Sequence, residues 1–171
     1  VTGSIDESVR HAITKLSHIH FPSTKRAKNF LIRLGEDKKS VFKTGCPSLD
    51  LAKNTNKKIN KNFNNRNAFV GDIINFKKDY LVYLFHPVTT EFKNNNIYIN
   101  EVLKTIDTMN GNMQIVILWP NVDSGTDFIS KSIRMYLNKK KNIKISAYKN
   151  FSPEDYIKLI YNSKCLIGNS S

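Results

Sequence analysis

The chain has 171 residues, of which 40% are hydrophobic and 11% aromatic, so it can bury the core of an ordinary domain and is not a disordered polyelectrolyte. Its sequence has no apolar run near the roughly 18 residues needed to cross a bilayer, and its start lacks a signal-peptide pattern. We therefore expect a soluble, cytoplasmic protein without a membrane partner.

The charge is strongly basic, with 27 Lys and Arg residues against 14 Asp and Glu residues and a formal net charge of +13. Such a balance can serve binding to nucleic acid or another polyanion. The densest basic block, residues 53–67, is rich in Asn, contains no acidic residue and offers only Phe63 for stacking on a base. It resembles a solvated insertion, so we expect no nucleic-acid partner. A basic polyanion-binding module stays open as the alternative from a different functional class.

Two cysteines, Cys46 and Cys165, lie far apart in apolar or turn contexts. This pattern predicts neither a disulfide framework nor a metal cluster, and it fits reduced cytosolic thiols. We expect no metal ion and no cofactor.

The first segment has the pattern of a capped amphipathic helix. Ser4 and Glu7 have the spacing of a capping box, and Asp6 and Arg10 are four residues apart, so they can meet on the helix surface. Apolar residues recur at helical spacing, at Ile5, Val9, Ala12, Ile13 and Leu16.

The following segments are shorter and more polar. The pattern predicts a strand over residues 17–21, a helix over 25–34 capped by Ser23, a turn at 35–37 and a strand over 40–43 that residues 45–47 end. Residues 49–78 are polar and Asn-rich around one apolar patch, which is typical of a connector between domains.

From residue 80 onward, apolar strands alternate with amphipathic helices. In chain order we predict a strand over 80–85, a helix over 97–109, a strand over 114–119, a helix over 127–138, a strand over 143–148, a helix starting at Pro153 after a Ser152 cap, and a strand over 165–167. This alternation predicts an α/β fold with a doubly wound parallel sheet.

In such a sheet, ligands bind outside the carboxyl ends of the strands. His86, Asn121, Phe151 and the segment 168–171 each follow a predicted strand, so we expect them at one edge of the sheet. Each residue alone also has an ordinary explanation, as a loop histidine, a turn asparagine or a helix cap. The prediction of a binding edge therefore depends on their combination.

Five segments, in order along the chain, carry a family resemblance. They are residues 3–21, 44–50 (Thr-Gly-Cys-Pro-Ser-Leu-Asp), 85–91 (Phe-His-Pro-Val-Thr-Thr-Glu), 119–125 (Trp-Pro-Asn-Val-Asp-Ser-Gly) and 167–171 (Ile-Gly-Asn-Ser-Ser). Together they resemble the UDP-N-acetylglucosamine 2-epimerases, in particular the hydrolysing branch that releases N-acetylmannosamine for sialic acid synthesis. The resemblance covers essentially the whole chain.

The resemblance implies a glycosyltransferase-B-like architecture, in which two Rossmann-like halves close over a UDP-sugar held mainly by the C-terminal half. On this basis residues 1–50 would be the C-terminal part of the N-terminal Rossmann-like domain. Residues 51–78 would be a connector or insertion, and residues 79–171 an incomplete UDP-binding C-terminal domain. For the complete protein, the resemblance implies a homo-oligomer, either a dimer or a tetramer.

Site residues are carried over from the family only where the motifs match. His86 corresponds to a nucleotide-contacting and catalytic histidine, and Phe151 lies where a backbone contact to uracil is expected. Asp6 matches a carboxylate that acts in proton transfer, with Glu7 beside it, and Arg10 occupies the adjacent basic position. The other matches are Asn121, Ser170 and Ser171 as uridine and diphosphate contacts, and His18 and His20 as histidines of the hydrolysing branch whose role, structural or chemical, stays open.

The implied reaction converts UDP-N-acetylglucosamine and water into N-acetylmannosamine and UDP. A base removes the C2 proton, UDP leaves by anti elimination to give 2-acetamidoglucal, and water adds with inverted configuration at C2. The positive end of a helix favours the ionised form of Asp6, which suits a base. Two enzyme alternatives stay open: the same chemistry on UDP-2,4-diacetamido-2,4,6-trideoxy-glucose for legionaminic acid, and a non-hydrolysing epimerase.

The chain also departs from the family pattern at both ends. It opens inside the first signature segment, and it stops before the Ser-Gly and acidic residue that grip the ribose and phosphate in relatives. We therefore expect the complete protein to be the active enzyme and this chain alone to be catalytically incompetent.

Overall fold

The computed structural model describes residues 5–87, 94–109, 113–120, 126–139 and 143–169. The chain divides into two compact units, residues 1–54 and residues 55–171. In the part of the chain that is described, no helix is long and apolar enough to cross a membrane.

The first unit is mainly helical. Its elements are α1 (Ile5–Leu16), α2 (Lys25–Arg33), a 3-10 turn (Lys38–Ser40) and α3 (Pro47–Asn54). The two predicted helices are confirmed, but the cap of α2 lies one residue later than predicted. The side chain of Thr24, rather than Ser23, accepts the hydrogen bond from the Ala27 N–H, at 3.1 Å. α3 was not predicted, because Pro47 indicated only the end of the preceding strand. Proline is, however, compatible with the first turn of a helix.

The short strands predicted over residues 17–21 and 40–43 reduce to a single bridge. His20 pairs with Val41 in parallel, and the N–H of His20 donates to the carbonyl of Ser40 at 2.9 Å. This contact buries His20 and Val41, which are 8% and 1% exposed.

The apolar stripe of α1 is present but exposed. Val9, Ile13 and Leu16 are 47%, 57% and 80% accessible to solvent. Helical spacing therefore located the helix correctly but did not predict its burial.

The second unit is an α/β sheet unit. Its elements are α4 (Phe63–Arg66), β1 (Phe69–Gly71), β2 (Tyr80–Leu84), α5 (Asn95–Asp107), β3 (Gln114–Leu118), α6 (Thr126–Leu137), β4 (Ile145–Tyr148), α7 (Pro153–Asn162) and β5 (Cys165–Gly168). Among the described residues, five strands form the sheet in the order β1-β4-β3-β2-β5, in which β1 alone is antiparallel to its neighbour. The predicted doubly wound sheet is confirmed, with one antiparallel strand added at its edge.

Both faces of the sheet are covered, and each central strand contributes to both cores. On one face α5 and α6 pack against alternate residues of β3 and β4, with Ile106, Ile115, Ile129 and Ile145 at most 1% exposed. On the other face α4 and α7 pack against the sheet through Phe63, Tyr80, Val82, Tyr148 and Leu159. Because successive residues of a strand point to opposite faces, burial on both faces requires the near-continuous apolar runs seen in the sequence.

Residues 55–78 fold as part of the second unit. Phe63 and Ile74 are each 1% exposed in its core, and β1 pairs with β4. The segment predicted as a connector, residues 51–78, is thus divided at the unit boundary, and its polar composition concealed a few apolar anchors. Because Phe63 is buried, it is not available to stack on a nucleic-acid base.

A buried carboxylate joins α4 to α7. Asp155, which is 5% exposed, accepts hydrogen bonds from Arg66 Nη2 at 2.7 Å, Asn67 Nδ2 at 3.2 Å and Lys158 Nζ at 3.0 Å. Burial alone would raise the pKa of Asp155, but the hydrogen bonds from Lys158 and Asn67 and the charges of Arg66 and Lys158 outweigh it and lower that pKa. The ionised carboxylate therefore stabilises the fold above the ordinary Asp pKa, and this contribution is lost as the pH falls through the folded-state pKa.

We expect Asp155→Asn to lower the free energy of unfolding at neutral pH by about 1–3 kcal/mol, because a neutral amide cannot balance the two cations around it. Thermal unfolding followed by circular dichroism at several pH values from neutral to acidic measures this. The difference between variant and wild type should shrink as the pH falls.

The matched control for that measurement is Asp79→Asn. Asp79 pairs with Lys164 at 3.4 Å, but both side chains are 59% exposed, and exposed ion pairs contribute little. A variant at Asp155 that behaves like the control at every pH would contradict the stabilising role of the buried carboxylate.

Candidate functional site

The carboxyl ends of β2, β3 and β4 open onto a cavity of about 310 Å³. Its lining includes residues just beyond these strands, among them His86, Trp119, Lys149 and Phe151, and the first turn of α7. The volume is in the range of small-ligand pockets. The structure therefore brings His86 and Phe151 together at the edge of the sheet where the strand order placed them.

His86 follows β2 and is tied through its backbone to the residue after β5. Its N–H donates to Asn169 Oδ1 at 2.9 Å, and the Asn169 Nδ2 donates back to the carbonyl of His86 at 2.8 Å. Sequence reasoning did not select Asn169 as a site residue. The available signal was its place directly after a strand, in the same segment as Ser170.

Gly168 allows the end of β5 to approach β2. Leu84 and Gly168 are the last register pair of the two strands, and a Cβ built on Gly168 would lie 2.6 Å from the Leu84 carbonyl oxygen. A side chain at this position would separate the strands. The glycine therefore sets the distance across which Asn169 reaches His86.

Phe151 belongs to an aromatic stack that forms one wall of the cavity. The centroid of its ring lies 5.2 Å from that of Tyr148 and 5.7 Å from that of Phe63, and the ring planes meet at 28° in both pairs. The Tyr148 hydroxyl donates to Asn64 Oδ1, and burial raises the pKa of Tyr148. The cluster is therefore uncharged, and of its three rings only Phe151 is partly exposed, since Tyr148 and Phe63 are buried.

The electrostatics of the cavity favour an anion. Among the described residues that line it, Lys149 is a cation and none is acidic. The amino end of α7, where Ser152 caps the helix and Pro153 is its first residue, adds the positive end of a helix dipole, which Glu154 and Asp155 of the same turn partly offset. An aromatic wall beside a positive rim can accommodate a base and a phosphate group.

The other candidate residues fall elsewhere. Asn121, Ser170 and Ser171 lie outside the described residues, as does the side chain of Asp6. Glu7 and Arg10 belong to α1 of the first unit, where Glu7 is partly buried and Arg10 is exposed. The structure leaves the roles of these six residues as predictions.

Of the two histidines with an open role, His18 is exposed and His20 is buried in an ionic cluster of the first unit. The His20 Nε2 lies 3.1 Å from Glu36 Oε2, and Lys15 Nζ donates to Glu36 Oε1 at 2.8 Å. The hydrogen bond and charge of Lys15, together with His20, lower the pKa of Glu36. His20 thus has a structural partner set, which sequence spacing did not predict.

A larger groove of about 540 Å³ lies between α5 and α6. It includes Lys104, Phe128, Lys131 and Met135 on helix surfaces, away from the strand ends. None of its residues belongs to a motif, so we place the candidate site in the smaller cavity. Within the part of the chain that is described, no cluster of three His, Cys, Asp or Glu residues could hold a metal ion.

The doubly wound sheet with a cavity at its strand ends is a Rossmann-like α/β unit, and the glycosyltransferase-B-like fold follows from comparison with solved structures. The chain superposes on a structure of MnaA from S. aureus in complex with UDP, with a TM-score of 0.67 at 17% sequence identity, over 97% of this chain and 42% of that one. At that identity the comparison establishes the fold.

The family follows from the sequence comparison. The family model described as UDP-N-acetylglucosamine 2-epimerase matches residues 1–171, and the chain belongs to this family. The predicted resemblance is confirmed.

Curated relatives have two kinds of name. A "UDP-N,N'-diacetylbacillosamine 2-epimerase (hydrolyzing)" of Legionella pneumophila is 34% identical over 99% of this chain. A "UDP-N-acetylglucosamine 2-epimerase" of Neisseria meningitidis serogroup B is 31% identical over 100% of it. The chain spans 42% of the length of each of these relatives.

We expect Gly168→Ala to lower the free energy of unfolding by about 1–3 kcal/mol, because the added methyl group would meet the Leu84 carbonyl and force β5 away from β2. Chemical denaturation of the chain measures the effect. Cys165→Ala is the control, since Cys165 is an exposed free thiol on the same strand. Equal stability of the two variants would show that β5 does not need the close approach.

Proposed function

We propose that the complete protein is a hydrolysing UDP-N-acetylglucosamine 2-epimerase, which converts UDP-N-acetylglucosamine and water to N-acetylmannosamine and UDP in sialic acid biosynthesis. The observation that carries the proposal is the meeting of His86 and Phe151 at one cavity beyond the strand ends, in a chain of this family. The two residues are 65 positions apart, and nothing in their local sequence requires them to meet.

The cavity suits the UDP part of the substrate. Phe151, which packs on the buried ring of Tyr148, offers an apolar ring surface to the uracil. Lys149, His86 and the amino end of α7 would stabilise the diphosphate, which is the leaving group and gains charge as its bond to the sugar breaks. Asn121, Ser170 and Ser171 are proposed as further uridine and diphosphate contacts.

The proposed chemistry needs a base, a stabilised leaving group and a water molecule. The base takes the C2 proton, the electron pair forms the C1–C2 double bond, and the C1–O bond breaks so that UDP leaves with its electrons. Water then adds its hydroxyl at C1, and a proton returns to C2 on the opposite face. We assign proton transfer to Asp6 and Glu7, and charge stabilisation to Arg10 and His86.

A second candidate substrate has its own support. The Legionella relative is named for the diacetylbacillosamine nucleotide sugar, whose C4 and C6 groups differ from those of UDP-N-acetylglucosamine. Incubating the complete protein with each nucleotide sugar and identifying the released sugar separates the two substrates. Recovery of UDP-N-acetylmannosamine instead of a free sugar would indicate a non-hydrolysing epimerase.

We expect this chain to bind UDP saturably, with an affinity that moderate salt reduces little, and to lose that binding in His86→Ala. Ligand-observed NMR at low and moderate salt measures both effects. His11→Ala is the matched control, because His11 is an exposed histidine of α1 in the first unit and should leave UDP affinity unchanged.

A different result would favour the polyanion-binding alternative. Binding that collapses with salt, is unaffected by His86→Ala and is matched by unrelated polyanions would mean that the net charge of +13 governs binding. The assignment of UDP to the sheet edge would then be wrong.

We also expect no steady release of UDP from UDP-N-acetylglucosamine by this chain alone, since it matches only 42% of the length of its enzyme relatives. A coupled assay for UDP measures turnover directly. Sustained turnover above the uncatalysed rate would contradict the expectation that residues outside this chain are required.

A further inference from the structure

Asn169 makes an unusual pair of hydrogen bonds for an exposed asparagine. Its side-chain amide satisfies both backbone groups of one residue, His86, with donor–acceptor distances of 2.9 Å and 2.8 Å. Both lengths lie in the middle of the normal range. The two partners also fix the orientation of the amide, because the His86 N–H requires the oxygen and the His86 carbonyl requires the nitrogen.

The sheet register explains why Asn169 reaches this position. β2 and β5 run parallel and end together at the pair Leu84 and Gly168. Past this pair the backbone hydrogen bonds between the two strands stop. The side chain of Asn169 then takes their place and bonds to the backbone of His86. His86 lines the cavity, whereas Asn169 is not among the residues that line it.

We infer that Asn169 is a positioning residue of the UDP site, which holds the backbone of His86 at the height where its imidazole meets the nucleotide. The inference rests on the proposed function and adds to it a residue that acts through another. Among the described residues, Asn169 is the side chain that ties His86 to the end of β5. Removing its amide would remove this connection. The imidazole would then sample positions away from the cavity.

Only an amide of this length meets both requirements. Alanine has no polar group, so Asn169→Ala removes both bonds. Glutamine keeps the donor and the acceptor but places them one methylene further out, so Asn169→Gln can restore the contact only in part. The pair of variants therefore distinguishes the presence of the amide from its placement.

The test measures UDP affinity and stability side by side in the 171-residue chain. We expect Asn169→Ala to weaken UDP binding by about fivefold or more, and Asn169→Gln to lie between this variant and wild type. At saturating UDP, the imidazole resonances of His86 should shift less in Asn169→Ala than in wild type. A residue with a purely structural role would lower the unfolding temperature and leave both the affinity and this shift unchanged.

The matched control is Asn162→Ala. Asn162 is another exposed asparagine that bonds to backbone, since its Nδ2 donates to the carbonyls of Lys57 and Lys158 at 2.8 Å each. It is the last residue of α7, whose opposite end lines the cavity. This variant should change stability and leave UDP affinity within about twofold of wild type.

The outcomes separate the inference from the proposed function. If wild type does not bind UDP, the proposed nucleotide site is wrong and the inference falls with it. If wild type binds UDP and both Asn169 variants bind it equally well, only the positioning role is overturned. If Asn169→Ala does not fold, Asn169→Gln decides. A UDP affinity and a His86 shift equal to those of wild type overturn the positioning role, and a weakened affinity supports it.

Discussion

The parallel pairing of β2 with both of its neighbours is the constraint on which the rest of the second unit depends. β3 and β5 flank β2 in register, from Tyr80 opposite Gln114 to Leu84 opposite Gly168. Parallel strands need crossover helices, and those helices cover the two faces of the sheet. The same pairing brings the carboxyl ends of the strands to one edge, so that core and cavity have a common origin.

That constraint also explains which parts of the fold the sequence predicts. β2, β3, α5, α6 and α7 were predicted within a few residues, because strands buried on both faces require apolar runs and helices that cover a sheet require an apolar stripe. β1 and α4 were not predicted. They depend on single side chains, above all Phe63, whose neighbours in the sequence are asparagines and lysines. A periodicity argument has no signal in so short a segment.

The candidate site divides in a similar way. The rule that ligands bind beyond strand ends placed His86 and Phe151, since it needs only the order of strands. It placed Asn169 at the same edge, within segment 168–171, but could not find its bonds to His86, which span 83 positions and depend on how far β5 extends along β2. It could not find the support of Phe151 by Tyr148 either, because Tyr148 was counted only as a strand position and the packing of the two rings depends on the folded chain. Local sequence patterns do not predict contacts between residues that are distant in the chain.

The two cores of the second unit differ in how much of the chain must be synthesised before each core can form. The face covered by α5 and α6 uses residues between Leu81 and Ala147. The opposite face joins α4 and the start of β2 to α7, since the Tyr80 hydroxyl donates to the Leu159 carbonyl and Arg66 pairs with Asp155 across 89 positions. During synthesis, the first face can therefore form while α7 is still unmade, whereas the second face needs Leu159 of α7. The second face, against which Phe151 packs at the cavity, is therefore completed only after α7 has been made.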